Sequence, residues 1–483
     1  MKPMTPAWLL FTALACTGPA LAGQSLEQIR YALYKDPQAD VSADLRVLAE
    51  RGDLASKQLL GDVLANNDSA NRQASIRLYQ EAFADGRGLV PALASLARLL
   101  DRSPSLRQQQ RAWVAQALTR YPATLDPRNS NATLEVFLVY PDLVPTAEAA
   151  QLLALYEQSC LIDCRPELYR AVVAERQGDR ATAERWYRQA VRVDPRGVDR
   201  YYRFLGEQQD TAFPAFARTL EPEMAQLPVE IVHRIGSLLD NINAVQRADQ
   251  EAEQDDRLAS SMGPAPVKLP PTPEQQARDK ALADAQATAM AEVQRWLDNA
   301  AQRGFVPALV SKANFMISNP TEHNAEQVQA LIAQVQAKDP TRAKALNASL
   351  YMVTNWLTLD PQKAQVLINE LIASNYRDAH LLLGELYSKG GLDQPDQERA
   401  LAIYQEQAER GTTAAWYRMA TIHSRGRAIC HDPVKAYTYA RIALDLGESR
   451  ARGLLKRLEK TLKSADIERA MAARNDLLKE ITL

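Results

Sequence analysis

Residues 379–387 read AHLLLGELY, and residues 398–411, a few positions further on, read ERALAIYQEQAERG. In the first stretch Leu383, Leu386 and Tyr387 fall on one side of a helix, and Gly384 leaves room for a neighbouring helix to approach. In the second stretch the apolar residues recur at helical spacing up to Gly411, which is typical of the left-handed residue that ends a helix. These residues predict two helices joined by a turn.

The same unit returns every 36 residues in the C-terminal third of the chain. The positions that repeat are small or apolar: Ala364, Ala400 and Ala436; Ala379 and Ala415; Leu386 and Ile422; Gly411 and Gly447. A fixed period of this length is typical of a helix-turn-helix unit that buries its apolar face only against the next copy. We therefore predict an all-α fold, a right-handed superhelical solenoid of such units.

The unit also recurs far from the C-terminal third. The sequences AERG at 49–52 and AQRG at 301–304 match AERG at 408–411, so the array extends through most of the chain. The predicted divisions are N-terminal helical repeats at 23–100, degenerate repeats at 101–243, the repeats described above at 275–460, and a C-terminal capping helix at 461–483. The last of these is charged from Ser464 to Lys479, which suits the exposed end of a repeat array.

A charged and proline-rich stretch separates the repeats. Between residues 244 and 274 a run of charges at 249–257 is followed by five prolines, a composition that buries little apolar surface. We predict a linker at 244–274 between two helical blocks. It either tethers the blocks passively or is captured by a partner.

The composition is that of an ordinary globular protein. Of the 483 residues, 46% are hydrophobic and 24% charged, and 57 Lys and Arg against 59 Asp and Glu leave a net charge of −2. Binding to nucleic acid through phosphate neutralisation needs a basic excess or stripe, so this balance argues against that class.

The N-terminus has the features of an export signal. Lys2 precedes an apolar run that is too short to span a bilayer, and Ala20 to Ala22 form a small-x-small cleavage site, so residues 1–22 are predicted to be a signal peptide. The alternative is cleavage before Cys16, because residues 13–16 read ALAC, which is similar to a bacterial lipoprotein signal. Cys16 would then carry a lipid anchor. Both outcomes place the protein in an oxidising compartment.

Cys160 and Cys164 lie close together in the sequence SCLIDCRP. In an oxidising compartment we expect a disulfide between them if the backbone turns there, and Pro166 supports a break in the helix. Two free thiols are the alternative. A metal or redox pair is disfavoured because no further ligands lie nearby, and the same holds for Cys430 with His431 and Asp432.

No catalytic motif stands out. The sequence has no phosphate-binding glycine loop, no nucleophile elbow and no zinc-protease motif, and its five histidines are scattered. The aromatic pairs at 186–187 and 416–417 and the histidine at 423 are interpreted as packing residues. We therefore predict no catalytic, cofactor-binding or metal-binding residue. The enzyme alternative, a helical toroid acting on carbohydrate, would need two facing carboxylates that no spacing here predicts.

The repeats carry a family resemblance. The pattern of a small residue, Leu-Gly-x-Leu-Tyr, a Lys-Ala-x-x-x-Tyr helix and a final glycine resembles the Sel-one-like repeat over 360–450 and again over 45–100. Gly178, Ala183, Tyr187, Ala190 and Pro195 are similar to the second helix of a tetratricopeptide repeat. The resemblance makes 275–460 a block of Sel-one-like repeats and adds tetratricopeptide-like units to the degenerate block at 101–243.

Taken with the export signal and the cysteine pair, the repeats are similar to those of the AlgK family of periplasmic alginate-assembly scaffolds. The resemblance implies an outer-membrane-associated protein that binds other proteins on a concave surface, namely a β-barrel exporter and periplasmic polymer-modifying proteins. It implies neither an enzyme nor a nucleic-acid binder. A repeat adaptor serving another exopolysaccharide or envelope system is the alternative. Exposed charges on the first helices of the units at 379–447 are expected to tune partner association.

Overall fold

The computed structural model describes residues 24–35, 39–67, 69–83, 90–120, 127–160, 164–260, 272–389, 396–425 and 431–482. All regular structure in these ranges is helical, so the prediction of an all-α solenoid of helix-turn-helix units is confirmed. Cys16 with the rest of the leader, and Cys430, lie outside the described residues.

The first half of the chain contains thirteen α-helices within the described ranges. Their bounds are α1 Leu26–Lys35, α2 Ser42–Glu50, α3 Leu54–Asn67, α4 Ser69–Phe83, α5 Val90–Asp101, α6 Pro104–Arg120, α7 Pro127–Val139, α8 Thr146–Ser159, α9 Glu167–Arg176, α10 Arg180–Val193, α11 Pro195–Phe204, α12 Gln209–Leu220 and α13 Val229–Ser260.

The second half adds eleven α-helices in the part of the chain that the structure describes. Their bounds are α14 Pro273–Gln302, α15 Val306–Ser318, α16 Ala325–Gln336, α17 Pro340–Leu350, α18 Pro361–Ala373, α19 Ala379–Lys389, α20 Gln397–Glu409, α21 Thr413–Arg425, α22 Pro433–Asp445, α23 Ala451–Thr461 and α24 Ser464–Thr482.

From α13 to α23 each helix packs against the next one in the sequence, so each unit packs on the following unit. Contacts also join alternate helices, α13 with α15, α15 with α17 and α17 with α19. Helices on the inside of a curved array lie closer together than those on the outside. We therefore place α13, α15, α17 and α19 on the inside. Together with α21, which Arg418 joins to Glu385 of α19, and α23, which packs on α13, we call them the inner row.

The 36-residue period is visible in the helix caps of the outer helices. Asp360, Asp396 and Asp432 each accept a hydrogen bond from the backbone N–H three residues later, at 3.0, 2.9 and 2.9 Å. Each also donates its own backbone N–H to the carbonyl nine residues earlier, at 2.9, 3.0 and 3.2 Å. Such capping satisfies donors that a helix N-terminus leaves open, and the same cap begins each of these three helices.

The helix ends repeat as well. Gly411 and Gly447 have positive φ angles of 86° and 98°, as the sequence predicts for left-handed C-caps. The residue 36 positions before Gly411 is Asn375, whose φ is 56°. Asparagine tolerates this conformation better than most residues, so it takes the place of glycine in that unit.

Two helix pairs that are distant in the sequence each contain a close contact between a glycine and a tyrosine. A Cβ atom on Gly384 would lie 2.4 Å from the Tyr404 ring, and one on Gly61 would lie 2.6 Å from the Tyr79 ring. Both tyrosines are almost completely buried. The N-terminal pair α3–α4 and the C-terminal pair α19–α20 therefore share one packing solution, as their sequence resemblance predicts.

The predicted linker at 244–274 is wrong for residues 244–260, which continue α13. This stretch has no proline or glycine, and its charged residues are compatible with a solvated helix. Residues 261–271 lie outside the described residues. At Thr272 a capping box begins α14, with Pro273 at its first position.

The two blocks predicted on either side of the linker are also not separate. Gly236 of α13 has no side chain, and a Cβ there would lie 3.0 Å from Leu297 and from Trp296 of α14. The largest buried apolar cluster runs without interruption from Ile76 to Trp356. The helix hairpin α13–α14 therefore joins the blocks, and the local composition gave no sign of this packing.

The C-terminal helix packs on the last repeats. Helix α24 lies on α22, where the hydroxyl of Thr438 donates to the carbonyl of Ala470 at 3.3 Å. Arg474 pairs with Asp445 at 2.6 Å. Polar contacts of this kind suit a terminal helix whose other face meets water.

Candidate interaction surface

The inner row carries charges that bond to one another. Glu385 of α19 accepts from Arg418 of α21 at 3.1 Å and pairs with Lys389 at 2.7 Å. Burial alone would raise the pKa of Glu385, but Arg418 and Lys389 outweigh it and lower that pKa to about 2. Glu385 is therefore ionised and links two repeats through its ion pair with Arg418. Reversing its charge would disturb the packing of the array as well as any partner.

The next repeat extends this cluster. Arg450, just before α23, pairs with Glu448 at 2.8 Å, and its guanidinium lies 5.0 Å from the centre of the Tyr417 ring. Asp240 of α13 approaches from the other side. Burial raises the pKa of Asp240, while Arg247 and Arg450 lower it. Charges on α13 and just before α23 therefore act on each other, although they lie far apart in the sequence.

Arg452 closes the array. Its guanidinium lies 3.0 Å from the carboxylate of Asp210 and 3.1 Å from the hydroxyl of Tyr202, residues 242 and 250 positions away in the sequence. Helix α23 also packs on α13. A local repeat pattern carries no information about partners this far apart, so sequence reasoning missed the contact.

A second buried network holds the degenerate repeats together. Glu135 of α7 is 2% exposed and accepts from Arg98 at 3.0 Å and from Arg196 at 2.6 Å. The hydroxyl of Tyr169 also lies 3.0 Å from Glu135. Arg196 in turn pairs with Asp194, the N-cap of α11, at 2.7 Å. Four helices, α5, α7, α9 and α11, are tied by one carboxylate that no sequence motif singled out.

The structure places Cys160 and Cys164 in a disulfide, with Cα atoms 5.8 Å apart. Helix α8 ends at Ser159 and α9 begins at Glu167. The helix therefore ends before Cys160, whose own backbone is extended, as pairing with Cys164 requires.

The aromatic residues and His423 behave as packing residues. Trp416 is 4% exposed and its ring centre lies 5.6 Å from that of Tyr439. His423 packs on the same tyrosine at 5.6 Å, and burial lowers its pKa. Trp186 is half-buried between helices, with the Arg170 guanidinium 4.3 Å from its ring centre.

The described residues contain no candidate metal site. Within them no three His, Cys, Asp or Glu side chains are grouped so as to hold a metal ion. A small open pocket lies between α13 and α14 and is lined by Asn243, Arg247 and Met290. No helix in the described part of the chain has the length and apolar character needed to cross a bilayer.

The fold and its interior define a helical-repeat solenoid whose charged inner row is closed by long-range ion pairs. In sequence, the chain is similar to the alginate biosynthesis protein AlgK of Pseudomonas syringae pv. tomato, with 26% identity over 141 residues, which are 29% of this chain and 30% of that protein. The AlgK of Azotobacter vinelandii is 29% identical over 147 residues, or 30% of this chain and 32% of that protein. The resemblance predicted from the repeats is thus confirmed, although the match spans about a third of each curated relative.

Two solved structures are also similar to this chain. One is the crystal structure of c5321, a protective antigen of uropathogenic Escherichia coli strains displaying an SLR fold, with 16% identity, a TM-score of 0.26, and coverage of 91% of this chain and 95% of the antigen. The other is a Sel1 repeat protein from Oxalobacter formigenes, with 16% identity, a TM-score of 0.25, and coverage of 89% and 92%. A comparison with protein-family descriptions finds no match.

Proposed function

We propose that this protein is a non-catalytic scaffold for exopolysaccharide secretion in the periplasm, with alginate as the polymer. In this proposal it binds an outer-membrane β-barrel exporter and periplasmic polymer-modifying proteins, and keeps them together. The observation that carries the proposal is the similarity to two proteins named for alginate biosynthesis. The solenoid supports it because stacked helix pairs present extended surfaces for protein partners.

A scaffold contributes local concentration and not bond chemistry. Deletion of the gene is therefore expected to leave polymer synthesis running while the exporter is lost from the outer membrane. Uronate-containing polymer should fall in the medium, and the exporter should be measured by immunoblot of outer-membrane fractions. Normal exporter level together with normal secretion in the deletion strain would refute the proposal.

Complementation separates a scaffold from an enzyme. Wild-type protein should restore both exporter level and secretion, and purified protein should release no sugar from alginate. A Glu406→Lys variant serves as a control, because Glu406 is exposed and its ion-pair partner among the described residues is Arg410, four residues on, at 2.5 Å. This variant should complement fully. Turnover of the polymer by purified protein would favour the carbohydrate-active alternative.

The two predicted cleavage sites in the leader would give different mature proteins, which can be distinguished by experiment. If Cys16 is lipidated, a Cys16→Ser variant should leave the outer-membrane fraction and the wild-type protein should carry an acyl mass. If cleavage follows Ala22, the mature protein should begin at Gly23 and Cys16→Ser should change nothing. N-terminal mass spectrometry of protein purified from the native host decides between the two.

A further inference from the structure

A group of arginines lies on α6, α10 and α11, and two of them contact Asp101, the last residue of α5. Arg107 and Arg200 both approach Asp101, at 3.6 and 2.7 Å. Arg203 follows Arg200 on α11, and the positive charges of Arg200 and Arg203 help to lower the pKa of Arg107, after the larger effect of burial. Arg107 and Arg200 therefore share one carboxylate, with the positive charge of Arg203 nearby.

Two neighbouring arginines have no carboxylate partner within the described residues. Arg180, the first residue of α10, places its guanidinium 4.8 Å from the Phe204 ring centre and donates to the Phe204 carbonyl at 3.5 Å. Arg203 donates only to the carbonyl of Asp199, at 3.4 Å. Both side chains are exposed. Arg180 contacts Phe204, and Arg203 precedes Phe204 in the sequence. Both guanidiniums are available for charge-assisted hydrogen bonds.

Arg200, the most buried arginine of this group, has a hydrogen-bond donor that is not used within the part of the chain that the structure describes. The Arg200 side chain is 11% exposed, and its Nε is buried with no acceptor among the described residues. A buried donor without a partner costs about 1–3 kcal/mol. Arg180, Arg203, Arg107 and Arg200, which we call the arginine edge, thus combine surplus positive charge with unused donors.

We propose that the arginine edge binds carboxylate side chains in an acidic segment of a partner protein. A guanidinium matches a carboxylate with two parallel hydrogen bonds, and arginine is enriched at the energetic centres of protein interfaces. The inference rests on the proposed scaffold function. It adds the surface, and the chemistry of the segment that this surface recognises.

The local charges favour a protein segment over an acidic polysaccharide. Carboxylates are interleaved with the arginines: Asp101 inside the edge, Asp179 capping α10 beside Arg180, and Glu175 bonded to Tyr187. A polymer with a carboxylate on every sugar would meet these acids as well as the arginines. A protein can place its acids only opposite the guanidiniums, so like-charge contacts are avoided.

Photo-crosslinking in the producing cell tests the proposal. Ala181, exposed beside Arg180, is replaced by a photo-crosslinking amino acid in the full chain, and exposed Gln405 on α20 is replaced in a matched control. We expect one protein adduct at 181 that is at least fivefold stronger than at 405. Mass spectrometry of the adduct should identify a linked peptide with at least two Asp or Glu residues.

Charge reversal provides the second measurement. Arg180→Glu with Arg203→Glu should reduce the adduct at 181 at least fivefold, whereas Arg410→Glu on the exposed Glu406 pair should leave it unchanged. Circular dichroism checks that each variant is folded. A linked peptide without acidic residues, an adduct only to polysaccharide, or an adduct that survives the reversal would each overturn the inference.

These readouts are independent of the proposed function. If deletion of the gene impairs secretion but the adduct is absent or insensitive to reversal, the scaffold assignment stands and the arginine edge fails. If deletion leaves secretion normal, the assignment fails, and the adduct still reports whether an acidic partner segment binds.

Discussion

Glu135 illustrates how a single buried carboxylate can organise several helices. It accepts from Arg98, Arg196 and Tyr169 while remaining 2% exposed. Its ionised form loses water on folding, and only the surrounding donors offset that cost. The network lies in the stretch whose repeats are most degenerate. There the pattern of apolar residues specifies the packing of the helices least clearly.

Replacement of Glu135 is expected to be strongly destabilising. Glu135→Ala leaves Arg196 mostly buried beside a lost partner, and breaking a buried pair from one side costs about 3–5 kcal/mol. Thermal unfolding followed by circular dichroism should show a clear drop in midpoint. Glu406→Ala is the control, because its pair with Arg410 is exposed and its removal costs less than about 1 kcal/mol. Equal effects of the two variants would contradict the interpretation.

Glu385 predicts a loss of stability in acid. Its pKa is about 2 in the folded protein, below the ordinary glutamate value of 4.5, chiefly because Arg418 and Lys389 overcome the effect of burial. The stabilisation is therefore complete above pH 4.5 and is lost as the pH falls through about 2. A shift of this size corresponds to about 3 kcal/mol.

The measurement is the unfolding midpoint at pH 5 and pH 3. Glu385→Gln should be less stable than wild type at pH 5, and its further loss on going to pH 3 should be smaller. Glu406→Gln, at an exposed site, should keep the wild-type pH dependence. An unchanged pH slope in Glu385→Gln would show that this carboxylate does not couple to folding.

Helix pairs depend on close approach, and Gly384 sets that distance in α19–α20. A Cβ at this position would overlap the Tyr404 ring at 2.4 Å, so the ring or the helix would have to move. Overpacking of this kind costs about 1–3 kcal/mol. Gly384→Ala should lower the unfolding midpoint despite the better helix propensity of alanine.

A second substitution tests the cause. In Gly384→Ala with Tyr404→Leu the clash is gone, so the combined loss should be smaller than the sum of the two single losses. Strict additivity would mean that the glycine matters for another reason. The equivalent pair, Gly61 and Tyr79, should respond in the same way because its geometry is the same.

The turn between α8 and α9 should depend on its disulfide. Protein from the periplasm should gain two alkylation sites on reduction, at Cys160 and Cys164, as measured by intact mass. The loop that the bond closes is short, so its loss should cost about 2 kcal/mol, near the low end for natural disulfides. Equal alkylation before and after reduction would show that the thiols are free.

The whole array is closed by contacts between residues from distant parts of the sequence. Arg452 is bonded to Asp210 and Tyr202, and its side chain is 23% exposed. Arg452→Glu should repel Asp210 and open this junction, while the repeats on each side keep their own packing because a solenoid is stabilised mainly between neighbours.

Small-angle scattering measures this opening. The radius of gyration should increase in Arg452→Glu, and the helical circular dichroism signal should stay within error of wild type. Arg469→Glu is the control, since Arg469 pairs only with Asp466 three residues away on the exposed final helix. An unchanged radius of gyration in Arg452→Glu would show that apolar contacts between α13 and α23 close the array without the ion pairs.

Features that repeat locally could be predicted without coordinates. The 36-residue period predicted the helix pairs, the glycine C-caps at 411 and 447, and the tight packing at Gly384. Each of these features arises from residues within one unit or its neighbour. The resemblance to AlgK followed from the same periodic residues, taken with the export signal and the cysteine pair.

Features that join distant residues could not be predicted in this way. The charged stretch at 244–260 was taken for a linker because its composition is compatible with a loop as well as with a solvated helix, and the structure shows that it continues α13. Glu135 and Arg452 have no distinctive neighbours in sequence, and their partners are set by the curvature of the array. The sequence of each repeat determines how one helix packs on the next. The ion pair between Arg452 and Asp210, which closes the solenoid, depends on the three-dimensional path of the whole array.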